Sequence, residues 1–245
     1  MSAPCSAITL VTFDVGVTLL TFRPDMAHAY AEVLAQAGCP VGEERIAVAL
    51  EVEQGAAPER RAESVSPDHQ VSVEARTDRR HRFVTNVLRA AGVLAEQIDY
   101  CAVAVHAALD SSRMYWAYDD ALPALRELWE RGLKLGAVAN TWPSMPRVLM
   151  KLGFGEYLGF WVISEFVGVE KPHPAIFERA LEIGAAKPCQ AVHVGDDYAR
   201  DVLGARGDRG RAPRPLREPG LYHAGRCVGH PPAGRTARDD WVRAA

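Results

Sequence analysis

The sequence predicts an α/β protein: a doubly wound parallel sheet whose chain is interrupted, after the first strand, by a separate helical cap domain. Three observations predict it. Short apolar runs rich in β-branched residues alternate with helical stretches of about ten residues, the pattern of a parallel sheet covered on both faces. Each of these runs ends abruptly at a polar or glycine residue, as strands do when they deliver side chains to a sheet edge. Between the first run and the next, residues 25–110 are alanine-rich and follow helical periodicity instead.

Taken in order, residues 8–13 form the first strand and hand the chain to Asp14, Val15 and Gly16. In the helical insert, Ala27, Tyr30, Ala31 and Leu34 share one face, as do Phe83, Val87, Leu88 and Ala91. About four helices are expected there, with the polar stretch 55–67, which holds Gly and two prolines, as a loop. The aromatic cluster of residues 114–118 is read as core. The alternation then resumes. Helix 121–131 stops at Gly132, strand 133–139 follows, then helix 144–152, strand 159–164, helix 174–183, strand 191–194 and helix 199–205. This divides the chain into an α/β core of residues 1–21 and 111–206, a cap of 22–110 and a tail of 207–245.

A chain of 245 residues, 48% apolar and 24% charged, has room for one or two domains and excludes a disordered chain, a collagen or a bare coiled coil. No window supplies the roughly 18 uninterrupted apolar residues of a membrane span, and the start has no basic residue ahead of its apolar run. The five cysteines are scattered and lack CxxC spacing, which argues against a disulfide framework or a zinc site. A cytoplasmic protein is expected. A net charge of −3 gives no reason to expect nucleic acid as a partner, and no membrane partner is expected. Oligomeric state is left open.

Ligands of doubly wound sheets bind outside the carboxyl ends of the strands. The residues found there are Asp14, Asn140, Lys171 and Asp196. Two carboxylates, an amide and a lysine thus converge, and Lys171 is one of only four lysines in the chain. His173 and His193 are read as packing or hydrogen-bonding residues, and Asp197 as a loop carboxylate beside Asp196.

The segments Phe13-Asp14-Val15-Gly16-Val17-Thr18-Leu19, Val138-Ala139-Asn140, Val169-Glu170-Lys171-Pro172 and His193-Val194-Gly195-Asp196 with Asp201 resemble the four motifs of the haloacid dehalogenase-like (HAD) hydrolase superfamily. They match in order and spacing over residues 8–206, and the helical insert is similar to the C1-type cap of its phosphatase-like branch. The resemblance implies a Rossmann-like core and Mg²⁺-dependent hydrolysis of a small phosphorylated metabolite. It makes Asp14 the nucleophile that forms an aspartyl-phosphate, a recognised covalent strategy for a carboxylate. Thr18 would hydrogen-bond near the nucleophile loop, Lys171 would supply positive charge to the nucleophile and the transferring group, and the backbone around Asn140 would bind phosphate. Asp14, the Gly16 carbonyl and Asp196 would hold Mg²⁺, with Asp201 ordering that shell.

The chain departs from the family pattern twice. Gly16 stands where family phosphatases carry the aspartate that protonates the leaving group, a contribution worth about 10²–10⁴ in rate. Ala139 replaces a Ser or Thr hydroxyl directed at phosphate, worth on the order of 10²–10³. The alternative is therefore a catalytically impaired relative that binds a phosphorylated ligand or a protein. Haloacid dehalogenases lack the acids that Asp196 and Asp201 supply, and phosphonoacetaldehyde hydrolases need a cap lysine that residues 20–110 do not contain.

Residues 206–245 carry nine arginines against four acids and are half Arg, Gly and Pro, a composition that buries no core. The resemblance implies an apolar strand and a helix at this point. A basic nucleic-acid tail is one interpretation of this segment; the favoured reading is a disordered tail arising from a frameshift in a GC-rich coding sequence.

Overall fold

The computed structural model describes residues 7–22, 24–55 and 73–206. The tail expected over 207–245 lies outside the described residues, as does most of the loop expected over 55–67. The chain divides into two units, one running to Thr21 and resuming at Ala117, the other spanning Phe22–Trp116.

The first unit is built on β1 (Leu10–Phe13), whose four residues are all buried. An uninterrupted Leu-Val-Thr-Phe run has no polar face to offer solvent, so it suits a strand covered on both sides. The other strands are β2 (Leu20–Phe22), β3 (Tyr115–Ala117), β4 (Lys134–Ala139), β5 (Phe160–Ile163) and β6 (Ala191–Val194). The main sheet has the order β5-β4-β1-β6, and every pairing in it is parallel. The chain thus builds outward from β1 through β4 to β5, then returns to the other flank of β1. This reversal at β1 opens the crevice at the carboxyl ends in which such sheets bind ligands. Register fixes the depth: Phe13 lies opposite Ala137 on one side and Val194 on the other, so Asp14 and Gly195 emerge at one level.

The helical unit holds α1 (Met26–Gln36), α2 (Glu43–Gly55), α3 (Val73–Ala90) and α4 (Ile98–Leu109). The Asp25 side chain caps α1 by accepting from the His28 N–H at 2.9 Å. Tyr30, Leu34, Ile46, Val84, Val87, Leu88, Cys101 and Val105 form its core. Residues 111–116, expected in the sheet unit, belong here instead. The Tyr115 hydroxyl donates to the Leu109 carbonyl at 2.8 Å, and its ring lies 4.9 Å from that of Phe22. Tyr115 is buried, as expected of a core aromatic, whereas Trp116 is exposed. Strands β2 and β3, which the sequence does not predict, pair as a two-stranded sheet.

Helices flank the main sheet: α5 (Ala121–Glu130), α6 (Met145–Lys151) and α8 (Pro174–Gly184) stand where alternation predicts them, and the short α7 (Ser164–Val167), which begins at a residue expected in the strand, is not predicted. Ala121, Ala124, Leu125 and Leu128 give α5 one buried stripe, and Gly132 at φ +82° ends it. The His173 side chain caps α8 by accepting from the Ala175 N–H at 3.1 Å, which agrees with reading it as a hydrogen-bonding residue. The stretch expected as a regular helix over 199–205 is instead a wide π-type turn at Tyr198–Leu203 followed by a single turn at Gly204–Arg206. No helix among the described residues is long and apolar enough to cross a membrane. The expectation about cysteines needs correcting at one position, because Cys189 is disulfide-bonded, while Cys39 and Cys101 are free and buried.

Candidate active site

The site begins where β1 ends. The Asp14 N–H continues the sheet ladder by donating to the Val194 carbonyl at 2.7 Å, so the carboxylate is carried on a rigid element. The chain then folds into a tight turn. Leu19 and Leu20 N–H both donate to the Val15 carbonyl, and the Val17 N–H donates to Leu20. Val17 is held at φ +62°, a region that a β-branched residue enters only under constraint. The turn buries Thr18, whose hydroxyl points at Asp196 Oδ1 over 3.4 Å. Gly16 is exposed and avoids the left-handed region. A Cβ built on it meets no atom within 4 Å, so neither space nor backbone conformation demands glycine there.

Lys171 is 4% exposed, and its ammonium lies 2.5 Å from Asp14 Oδ1 and 2.6 Å from Asp201 Oδ1. A buried ammonium is costly unless it is paired, and here it bridges two carboxylates. Asn140, at the end of β4, sets the height of this lysine. Its amide oxygen accepts from the Lys171 N–H at 2.7 Å, and its amide nitrogen donates to the Lys171 carbonyl at 2.9 Å. With the Asn140 side chain committed to this contact, any role for the position in phosphate binding falls to the backbone.

β6 delivers the remaining acids. Asp196 follows Gly195, and the wide turn brings Asp201 back beneath them, 3% exposed. A Cβ on Gly195 would lie 2.2 Å from Asp201 Cγ, so this close approach requires glycine. Asp201 Oδ2 accepts the Asp197 N–H at 3.0 Å. Its Oδ1 takes both Lys171 and His193 Nε2, the latter at 3.1 Å. Asp197, as expected of a loop carboxylate, caps the turn by accepting from the Ala199 and Arg200 N–H groups. The sequence reading does not single out Thr12, whose hydroxyl lies 2.9 Å from His193 Nδ1. The available signal was a polar residue inside an otherwise apolar strand.

Asp14, Asp196 and Asp201 each offer an oxygen within 4.8 Å of the others. Burial raises the Asp14 carboxyl above its usual range; Lys171 opposes that shift, and the charges of Asp201 and Asp196 add to it. Asp196 is likewise raised by burial and by Asp201. Burial also acts to raise Asp201, but its bonds to His193 and Lys171 outweigh that and hold it well below the ordinary range. Asp201 is therefore the carboxylate of the site that stays ionised most readily, while Asp14 and Asp196 hold their protons to higher pH. Three carboxylates facing one ammonium leave an excess of negative charge built from hard oxygen donors. This donor set fits Mg²⁺, which takes one or two carboxylates and keeps several waters.

Comparison with known proteins agrees with the geometry. Residues 8–207 match the family described as haloacid dehalogenase-like hydrolase. The human haloacid dehalogenase-like hydrolase domain-containing protein 3 is 32% identical over 203 residues, which span 81% of this chain and 78% of that protein. Glyceraldehyde 3-phosphate phosphatase of Methanopyrus kandleri is 42% identical over 93 residues, 36% of this chain and 38% of the relative. Among solved structures, the HAD-hydrolase YfnB of Bacillus subtilis, bound to magnesium, superposes with a TM-score of 0.65 at 18% identity, covering 82% of this chain and 83% of its own.

Proposed function

This chain belongs to the haloacid dehalogenase-like hydrolase family, and on that premise we propose that it is a Mg²⁺-dependent phosphatase of small phosphorylated metabolites. The observation that carries the proposal is the buried Lys171 ammonium shared between Asp14 and Asp201. It leaves Asp14 Oδ2 outside that ion pair, on a carboxylate fixed at a strand end.

In this reading Asp14 Oδ2 attacks phosphorus in line. The P–O bond to the leaving alcohol breaks as the aspartyl-phosphate forms, and water then cleaves the phosphoryl group from the carboxylate. Lys171 offsets charge on Asp14 and on the transferring oxygens. Asp14 and Asp196 would hold the metal together with the Gly16 carbonyl, and Asp201 would order the loop that carries Asp196. Mg²⁺, when bound, supplies positive charge to the phosphoryl oxygens. Thr18 steadies Asp196 from the nucleophile's own turn. The helical unit serves as the cap that selects substrate. The phosphatase name of the Methanopyrus relative supports the reaction class, over the third of the chain that it matches.

A second reading is favoured by Gly16 and Ala139. Ala139 is 2% exposed and brings no hydroxyl, and Gly16 brings no acid. A protein so equipped would bind a phosphorylated ligand, or react once and stall at the aspartyl-phosphate. Hydrolysis of p-nitrophenyl phosphate separates the two readings, because its leaving group asks little of an acid. Turnover abolished by EDTA and by Asp14→Asn supports the phosphatase. Equal release by the parent and Asp14→Asn proteins overturns it, and a stoichiometric burst without turnover selects the stalled form.

A further inference from the structure

We propose that His193 is a positioning residue of this site: its Nε2–H fixes the Asp201 oxygen on which Lys171 rests, and so keeps the ammonium on Asp14. The catalytic part of the proposal rests on the phosphatase reading; the structural part stands without it.

His193 and Thr12 are register partners on β6 and β1, and both are buried. The imidazole lies edge-on to Phe177, with ring centroids 5.1 Å apart. If filling this space were the whole task, an apolar side chain would serve without burying two ring nitrogens that must be bonded. Both nitrogens do have partners, Nδ1 with Thr12 Oγ1 at 2.9 Å and Nε2 with Asp201 Oδ1 at 3.1 Å.

The partners decide the proton positions. An ionised Asp201 has only lone pairs, so the proton must sit on Nε2. Nδ1 of the neutral ring then accepts the Thr12 hydroxyl. That hydroxyl also lies 3.3 Å from the Val192 carbonyl, an alternative acceptor that leaves the network satisfied if the ring is charged. The His193–Asp201 bond therefore does not depend on the ring's charge.

Its consequence follows from sharing one oxygen. Asp201 Oδ1 accepts from His193 and from Lys171, while Oδ2 is tied to the Asp197 N–H. Without the imidazole, Lys171 is the one donor of this pair left on Oδ1, and the carboxylate is held to the fold through Oδ2 alone, so it is freer to turn about that bond. Lys171 would then follow it away from Asp14. A chain of hydrogen bonds thus runs Thr12, His193, Asp201, Lys171, Asp14, from the sheet interior to the nucleophile.

The test compares His193→Leu, which fills the space without a donor, with His193→Gln, whose amide N–H reaches the position of Nε2. Each full-length variant is titrated with Mg²⁺ by calorimetry and assayed with p-nitrophenyl phosphate. His193→Leu is expected to lose about 10–100-fold in kcat and in Mg²⁺ affinity with KM little changed, and His193→Gln to recover most of the loss. Should His193→Leu fold poorly, His193→Asn, whose amide stops short of Asp201, takes its place. Nitrogen NMR of the parent protein is expected to show the His193 proton on Nε2. Equal impairment of the Gln and Leu variants, no impairment of Leu, or a proton on Nδ1 alone overturns the proposal. A parent protein that binds Mg²⁺ and hydrolyses nothing overturns the phosphatase reading only, and the Leu-against-Gln contrast in Mg²⁺ affinity then decides the role of His193.

Discussion

The Asn140 side chain and the Lys171 peptide exchange two hydrogen bonds, of 2.7 and 2.9 Å, and this pair fixes the lysine whose ammonium reaches Asp14. Asn140→Ala is therefore expected to act on catalysis through Lys171. Misplacement of a reacting group by about 1 Å can cost on the order of 10²-fold, so kcat should fall steeply with KM little changed. Steady-state kinetics with p-nitrophenyl phosphate checks this. A rise in KM alone would instead assign the Asn140 side chain to substrate.

Gly16→Asp is expected to raise turnover. Open space surrounds the position and its backbone lies outside the left-handed region, so the new side chain enters without strain. A general acid is worth about 10²–10⁴ in rate, and the gain should be largest for alkyl phosphates, whose leaving groups need a proton most. Comparing an alkyl phosphate with p-nitrophenyl phosphate in both proteins measures it. An equal or absent gain on the two substrates would mean that the added carboxylate does not reach the leaving oxygen.

Asp14→Asn should abolish turnover and raise the melting temperature of the metal-free protein. The sign follows from the raised Asp14 carboxyl, set by burial and by Asp201 and Asp196 against the opposing pull of Lys171. A carboxyl raised in the folded state favours folding while protonated, and that advantage is lost as pH rises through the folded value. At neutral pH the ionised group is therefore a net cost, which the amide removes. Each kcal/mol gained would appear as a rise of about 2–4 °C in Tm for a chain of this size. Thermal melts with EDTA provide the check, and a lower Tm for the variant would reverse this account of the site's electrostatics.

Mg²⁺ affinity should weaken on acidification sooner than an ordinary carboxylate site would. Asp14 and Asp196 are both raised, chiefly by burial, and the cation binds their ionised forms. Protons therefore compete at pH values above the usual carboxylate range of about 3.9–4.3. Affinity is expected to be level at high pH and to fall through the raised values. Calorimetric titrations at stepwise lower pH test this. A constant Kd down to the ordinary range would contradict it.

The residues legible in the sequence were those whose role depends on position along the chain. Asp14 and Asn140 stand directly after buried strands, Asp196 one residue past β6, and Lys171 in the loop between α7 and α8, so finding the strands located the candidate site. Features that depend on partners distant in sequence were hidden. Thr12 and His193 are 181 residues apart and meet only when β1 and β6 pair. Strands β2 and β3 span three residues each, too few for a period to show. The turn at Tyr198–Leu203 has helical composition, yet Asp201 is drawn under Gly195, and the local backbone widens to a π-type turn there. Residues 111–116 joined the helical unit through the Tyr115 hydroxyl and ring, a contact that composition does not encode.

The position of β1 has a consequence for how the protein is made. Among the described strands it comes first in the chain and lies inside the finished sheet, yet its neighbours are β4 and β6, the latter about 180 residues downstream. Loop closure over such a span comes late and slowly, while α1, α2, α3 and α4 have their contacts close at hand. During synthesis a Leu-Val-Thr-Phe segment with both edges bare must wait for its partners. Of the described strands, β1, which leads into Asp14, is thus the one that waits longest for its partners. Asp14 enters its final environment only when residues near 194 have emerged.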